Sequence, residues 1–332
     1  MRSAKKIWLI VAAALVVLGL LICTVVMSIF GWNFKKLSTA KYETNEHSVT
    51  DAFNNISIDT KTADIEFLPS DDDTCSVVCH EMVKAKHSVS VKDGTLKIKL
   101  NDERKWYDFL SIGFDSPKIT VYMPAGEYGM LYINNRTGDI NITGSFGFES
   151  IDILVSTGDV SCGASVAGCL SIETSTGNIR AENLYCGSAV LTATTGKINL
   201  SNLQIDGDLA VGVSTGNTVI SSLSCNNFKS SGSTGNITLN SFIARGGMSV
   251  SRSTGNVQLN DCDASEIYIT TDTGNVKGHL LSEKVFITNT DTGRVDVPKT
   301  VNGGRCEITT DTGNIEITVN LDNEQKPDSW FN

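Results

Sequence analysis

Residues 175–181 read Ser-Thr-Gly-Asn-Ile-Arg-Ala, and closely similar segments recur along most of the chain. The Thr-Gly pair that marks each copy returns every 19 or 20 residues. Its glycines are Gly138, Gly158, Gly177, Gly196, Gly216, Gly235, Gly255, Gly274, Gly293 and Gly313. A fixed period of this length is typical of solenoids, in which each repeat buries its apolar face by stacking on its neighbours. The period therefore predicts a stack of about ten or more coils, or rungs, of 19–20 residues each.

Apolar residues alternate with polar ones on both sides of each glycine. Leu170 and Ile172 precede Gly177, and Ile179 and Ala181 follow it, each pair two residues apart. A period of two indicates β-strands, and the wealth of Thr, Val, Ile, Ser and Gly argues against helical repeats. We therefore predict an all-β fold, a β-solenoid. In it, glycine takes a positive φ at a tight corner, and the flanking Thr and Asn hydrogen-bond to their counterparts one rung away.

The segment before the regular array is a degenerate version of it. Ala63 takes the place of the glycine, and Ile65 and Phe67 continue the apolar columns. Asp93-Gly94 lies between two alternating runs and predicts a hairpin. We expect residues 51–128 to form a β-rich cap, residues 129–320 the regular repeats and residues 321–332 a C-terminal tail.

Residues 7–30 form an uncharged run of 24 residues near the start of the chain. At ~1.5 Å per residue, a helix of this length crosses a ~30 Å hydrocarbon core. We interpret it as a transmembrane helix that binds the lipid bilayer, and a cleaved signal peptide is the alternative. Residues 1–6 are then a cytoplasmic tail, and residues 31–50 a polar stalk that leads to an extracytoplasmic solenoid domain. The balance of basic residues on the two sides supports this orientation only weakly.

The overall charge argues against one class of partner. The chain of 332 residues has 37 acidic and 27 basic residues, which give a formal net charge of -10. Such a surface repels phosphates, so we do not expect nucleic-acid binding.

Three aspartates are the candidate residues for a metal site. Asp272, Asp291 and Asp311 each stand two residues before a repeat glycine, so they form a row of carboxylates that could hold Ca²⁺. The competing interpretation, which we prefer, is that they are solvated turn residues. The four histidines have no spacing typical of a metal site or a triad, and no cofactor motif is present. We therefore expect a protein that is not an enzyme and has no cofactor.

The nine cysteines are mostly interpreted as buried small hydrophobic residues, because several fall in the inward columns. Two disulfides stay open as alternatives, Cys75 with Cys79 and Cys169 with Cys186.

A family resemblance rests on three segments: Ile-Asp-Thr-Lys-Thr-Ala-Asp-Ile-Glu-Phe at 58–67, Ile-Thr-Val-Tyr-Met-Pro at 119–124, and the serial Ser-Thr-Gly-Asn-Ile units. Together with the helix before them, they resemble the DUF4097 group of candidate adhesins, bacterial β-strand-repeat proteins of the cell envelope. The resemblance covers roughly residues 50–320. It implies an extracytoplasmic solenoid linked to surface interaction or envelope stress, and it carries over no catalytic residue.

These observations favour a single-pass protein of the cell membrane that acts as a non-catalytic, adhesin-like binding module. Its partner would be another envelope or cell-surface component, either a protein or a polysaccharide. Two alternatives stay open. One is a scaffold that self-associates through the open ends of the solenoid, and the other is an envelope-stress regulatory ectodomain that acts through a membrane partner.

Overall fold

A computed structural model describes residues 2–29, 31–32, 40–72, 74–106, 108 and 115–319. The predicted tail at 321–332 lies outside the described residues. The prediction of an all-β solenoid preceded by one helix is confirmed, since the strands form one continuous sheet wound into stacked rungs.

The helix and strands have the following bounds: α1 Arg2–Ile29, β1 Tyr42–Val49, β2 Asn55–Thr62, β3 Asp64–Pro69, β4 Cys75–Met82, β5 Ala85–Lys92, β6 Thr95–Asp102, β7 Lys118–Met123, β8 Gly126–Thr137, β9 Ile140–Ile142, β10 Phe146–Thr157, β11 Val160–Cys162, β12 Ser165–Thr176, β13 Ile179–Thr195, β14 Ile198–Ile205, β15 Leu209–Thr215, β16 Thr218–Cys225, β17 Phe228–Thr234, β18 Ile237–Thr254, β19 Val257–Thr273, β20 Val276–Leu280, β21 Lys284–Thr292, β22 Val295–Asp296, β23 Gly304–Thr312 and β24 Ile315–Val319.

Helix α1 is long and apolar enough to cross a membrane. Its segment Lys6–Ile29 has a mean hydropathy of 3.1, and its most apolar stretch is exposed. Length and composition fit a membrane anchor and a signal sequence equally well.

Each regular rung consists of a strand before the glycine corner and a strand after it. In the rung of Gly177, β12 leads into the corner and β13 leaves it. A second corner follows at Asn183, whose φ of 57° is left-handed, and the equivalent Asn202, Ser222, Ser241 and Asp261 share this conformation. Neighbouring rungs pair as parallel strands in register, for example Ile172 with Leu191. Like residues therefore stack in columns that run along the solenoid.

The inward columns form one hydrophobic core that extends from the first rung to the last. Its largest fully buried side chains include Phe67, Phe148, Phe228 and Phe242. One charged side chain also enters this core. Arg252 is only 2% exposed. Its guanidinium donates hydrogen bonds to Ser230 Oγ at 2.9 Å and to the carbonyl oxygen of Ser251 at 3.1 Å, in the space above Gly232.

The N-terminal end does not follow the order of the sequence. Strands β2 and β3 lie between the pair β6 and β7 on one side and the pair β8 and β9 on the other. Antiparallel strands β4 and β5 then cover the outer edges of β7 and β6. The Asp-Gly hairpin joins β5 to β6 and has a positive φ at both Asp93 and Gly94.

The expectation of a polar stalk over residues 31–50 is wrong for its second half. Residues Tyr42–Val49 form β1, which pairs antiparallel with β4 along its whole length. The segment is mostly polar, with Val49 packed against the core, because β1 is an edge strand of the cap. Edge strands are stabilised by backbone pairing and remain polar on their surface.

The C-terminal end is also reordered. The sequence suggests consecutive stacking of the last three rungs, but β23 lies between β19 and β21, and β24 lies between β20 and β22. The final rung in the chain is therefore inserted before the penultimate one. The rung of β23 and β24 is therefore held on both sides and does not form the end of the stack.

Candidate binding surface

The repeat glycines stack in one column because the backbones approach closely there. A Cβ atom added to Gly158, Gly177 or Gly196 would overlap the carbonyl oxygen of the glycine one rung below. Most of these glycines have a positive φ, such as 145° at Gly216. Gly274 and Gly293 have no left-handed φ, yet an added Cβ would still overlap a neighbouring glycine oxygen. Ala63 takes the same slot in the first repeat, as the sequence suggests, and lies next to Gly138.

The residue after each glycine forms a hydrogen-bonded ladder. The side-chain oxygen of Asn236 accepts the backbone N–H of Asn256 at 2.8 Å, and the Oδ1 atom of Asn256 accepts that of Asn275 at 2.8 Å. Asp139 and Asp159 do the same at the start of the array. These side chains are therefore engaged in holding the rungs together, as predicted for Asn.

The threonines behave differently from the prediction. Rung-to-rung hydrogen bonds come from buried threonines three residues before the glycine, such as Thr310, whose hydroxyl donates to the Gly274 carbonyl at 3.0 Å. The threonines directly before the glycines are all exposed and pair in register along the whole stack. In spatial order they are Thr62, Thr137, Thr157, Thr176, Thr195, Thr215, Thr234, Thr254, Thr273, Thr312 and Thr292. Within the described residues their hydroxyls have no hydrogen-bond partner.

A second exposed hydroxyl column runs beside the first. Two residues before the glycine stand Ser156, Ser175, Thr194, Ser214, Ser233 and Ser253. We call the two columns together the hydroxyl ridge. Adjacent rungs of a parallel sheet are ~4.8 Å apart, so the ridge presents a pair of hydroxyls at that interval. Neither column contains a charged residue between Thr194 and Thr254. The ridge can thus donate and accept hydrogen bonds at a regular spacing without attracting ions.

The predicted calcium candidates continue the second column at its C-terminal end. Because β23 is inserted, their spatial order is Asp272, Asp311, Asp291. All three side chains are exposed. Among the described residues, these three aspartates do not form a group whose ligand atoms all lie within 4.8 Å of one another. The geometry is that of spaced surface carboxylates, and calcium binding there stays an untested prediction.

One cluster of potential ligands lies elsewhere and was missed from the sequence. The ligand atoms of Cys79, Glu81 and His87 lie within 4.8 Å of one another, buried between β4 and β5. The alternation of Cys79 and Glu81 on one face of β4 is the only signal that could have indicated it.

The hydrogen bonds of this cluster are already made within the protein. Glu81 Oε2 accepts the backbone N–H of His87 at 2.6 Å and lies 2.7 Å from His87 Nδ1. Asn45 Nδ2 donates to Glu81 Oε1, and His87 Nε2 lies 2.8 Å from Thr60 Oγ1. Burial and the Glu81 charge raise the pKa of the Cys79 thiol to about 12. The cluster joins β1, β2, β4 and β5 and is best explained as structural.

Neither suggested disulfide forms. All cysteines of the described chain are free thiols. Cys75 and Cys79 lie on the same strand, both facing inward, and Cys169 is level with Ser188 and not with Cys186. The prediction that most are buried hydrophobic residues agrees with their burial, which raises the pKa of Cys162, Cys186 and Cys306 to about 12.

Comparison with known families supports the resemblance seen in the sequence. Residues 53–211 match the model of the Toastrack DUF4097 family, which confirms that resemblance over the cap and the first half of the repeats. No curated protein matches the chain.

Several solved structures are similar to this chain at low identity. A candidate adhesin from Parabacteroides distasonis ATCC 8503 is 13% identical, with a TM-score of 0.41, over 84% of this chain and 98% of that one. A candidate adhesin from Parabacteroides merdae ATCC 43184 is 13% identical, with a TM-score of 0.39, over 85% and 98%. A candidate lipid-binding protein from the first species is 16% identical, with a TM-score of 0.36, over 84% and 98%. Similarity this low carries no argument about function, which must come from this chain's own surface.

Proposed function

We propose that this protein is a non-catalytic binding module, anchored in the cell membrane by α1, whose hydroxyl ridge binds an extended, uncharged polysaccharide of the bacterial envelope. The observation that carries the proposal is the column of exposed threonine hydroxyls that lack a partner among the described residues.

The chemistry of the ridge favours a glycan over a protein ligand. A polysaccharide offers hydroxyl groups at every sugar residue, and each can exchange hydrogen bonds with a Ser or Thr hydroxyl. Its sugar repeat is similar in size to the ~4.8 Å spacing of the rungs, so many weak contacts can form at once. A folded protein partner has no such repeat. The lack of charge in the middle of the ridge also suits a neutral ligand.

The proposed location rests on α1 and on the family. A membrane helix at the start of the chain would leave the solenoid free to face the envelope, and its short, weakly basic N-terminal tail favours a cytoplasmic start. An epitope tag after Asn332 tests this location. Protease added to cells stripped of their outer layers should remove the tag if the solenoid lies outside. If the tag is digested only after lysis, the extracytoplasmic location is wrong.

The binding proposal is tested with the full-length protein in detergent micelles and a panel of linear β-1,4-linked glycans, including chitin oligomers and isolated cell-wall glycan strands. We expect Thr215→Val with Thr234→Val to weaken glycan binding at least tenfold, because two central hydroxyls are lost without a change in shape. The matched control is Ser161→Ala with Thr238→Val, which removes two hydroxyls from the strands after the glycine corner. Equal loss in both variants, or no glycan binding by the wild type, would refute the ridge as the site.

A further inference from the structure

The two ends of the solenoid are built differently. At the N-terminal end, β4 and β5 cover the outer edges of β7 and β6, which form the outermost rung. At the C-terminal end, the outermost rung is β21 and β22. Among the described strands, β21 pairs only with β23, and β22 pairs only with β24. The backbone groups on the far side of β21 therefore point away from the sheet, ready to pair with another strand.

The middle of the β21 edge, residues 285–290, lacks the charges that usually protect such edges. Protected edges are short, strongly twisted or rich in charges. β21 has nine residues, and its outward positions begin with Val285 and Ile287, which are 37% and 47% exposed. The two charged residues of β21, Lys284 and Asp291, stand near its ends, whereas β1, which is also an edge strand, bears Glu43 and Glu46 within its length. The C-terminal edge is thus the one suited to association.

We infer that this edge binds the same edge of a second copy, so that β21 pairs antiparallel with its counterpart in a tip-to-tip dimer. Two identical edges related by a twofold axis are complementary in backbone hydrogen bonding by construction. Their charges also match. Glu283 precedes the strand and the exposed Arg294 follows it, so antiparallel pairing brings each Glu283 towards the second copy's Arg294. A twofold contact uses the same edge of both copies, so this association closes at two copies.

The dimer has a consequence for the proposed adhesin-like role. The chain enters the solenoid through β1, at the covered end, so α1 is attached at the end of each copy that is remote from the dimer contact. Such a dimer suits two copies that stand on facing membranes. This consequence rests on the proposed membrane location, whereas the dimer itself does not.

The first test measures the molar mass of the full-length chain in detergent micelles by light scattering over a range of concentrations. We expect a dimer for the wild type, and a monomer for Ile287→Lys, which places like charges across the twofold axis. The control is Val190→Lys, at the equivalent position of a central rung and 46% exposed, which should remain a dimer. A wild type that is monomeric at every concentration, as expected if the chain's own C-terminal residues cover this edge, overturns the inference. So does a dimer or a longer polymer that Ile287→Lys leaves intact.

A second test does not depend on how well that charged variant folds. Asn289→Cys is introduced together with Cys23→Ser, which removes the exposed thiol of α1. A short bismaleimide should link most of the protein into covalent dimers. Thr192→Cys, the equivalent outward position of a central rung, should give few. Equal linking at the two positions would mean that the contact is not at the tip.

Discussion

Replacing a single glycine of the stacked column should destabilise the whole solenoid, and Gly216→Ala is the clearest case. The residue has a φ of 145°, and an added Cβ would overlap the carbonyl oxygen of Gly196 one rung away. Backbone strain in this region costs about 1–3 kcal/mol, and overpacking costs a similar amount, so we expect a loss of about 2–6 kcal/mol. The strain is local, but the overlap must be relieved by moving rungs apart, which weakens pairing on both sides.

Urea unfolding of the full-length protein in micelles, followed by circular dichroism at strand wavelengths, gives the change in midpoint. Gly212→Ala is the matched control, since it lies in the same rung, has no left-handed φ, and its added Cβ would come no nearer than 3.5 Å to Thr192 Oγ1. That variant should unfold at the wild-type midpoint or slightly above it. If both variants unfold within about 0.5 kcal/mol of each other, close backbone approach is not the reason for the glycine column.

Three further outcomes follow from the core. Arg252→Met should raise the free energy of unfolding by about 1–3 kcal/mol at pH 7, because a buried cation without a carboxylate partner is replaced by an apolar chain. Burial lowers the pKa of Arg252 to about 10 from 12.5, so the difference in unfolding free energy between the variant and the wild type should shrink as the pH rises above about 10. A less stable Arg252→Met protein would contradict this. Glu81→Gln should cost about 2–4 kcal/mol in the same urea assay, because the His87 hydrogen bonds lose their anionic acceptor. Lys86→Ala, next to His87 on the exposed side of β5, should leave the midpoint unchanged. Finally, maleimide at pH 8, followed by peptide mass spectrometry, should leave the buried thiols unlabelled until the protein is unfolded, since their pKa values are raised to about 12; labelling of the native protein would contradict their burial. These thiols are Cys162, Cys186, Cys225 and Cys306.

The sequence alone determined what depends on local chemistry. The Thr-Gly period fixed the length of each rung, and the alternation around Gly177 fixed which side chains face inward, because both follow from the geometry of a strand and a tight corner. Ala63 in the glycine slot and the Asp93-Gly94 turn were recognisable for the same reason. The asparagine ladder could also be anticipated, since in-register stacking brings like residues together.

Only the tertiary structure decided the order of the rungs at the two ends. Backbone hydrogen bonds between parallel strands do not depend on the side chains, so the repeats after β19 could stack in either order. In the structure β23 pairs with both β19 and β21, and no local sequence pattern indicates this order. Strand β1 could not be predicted for the same reason. Its polar residues resemble a linker, and only its pairing with β4 makes it a strand. The Cys79, Glu81 and His87 cluster was hidden because its members meet across a hairpin. Among the described strands, β21 is left with one unpaired edge, on which the proposed dimer depends, because the rung of β23 and β24 lies inside the stack.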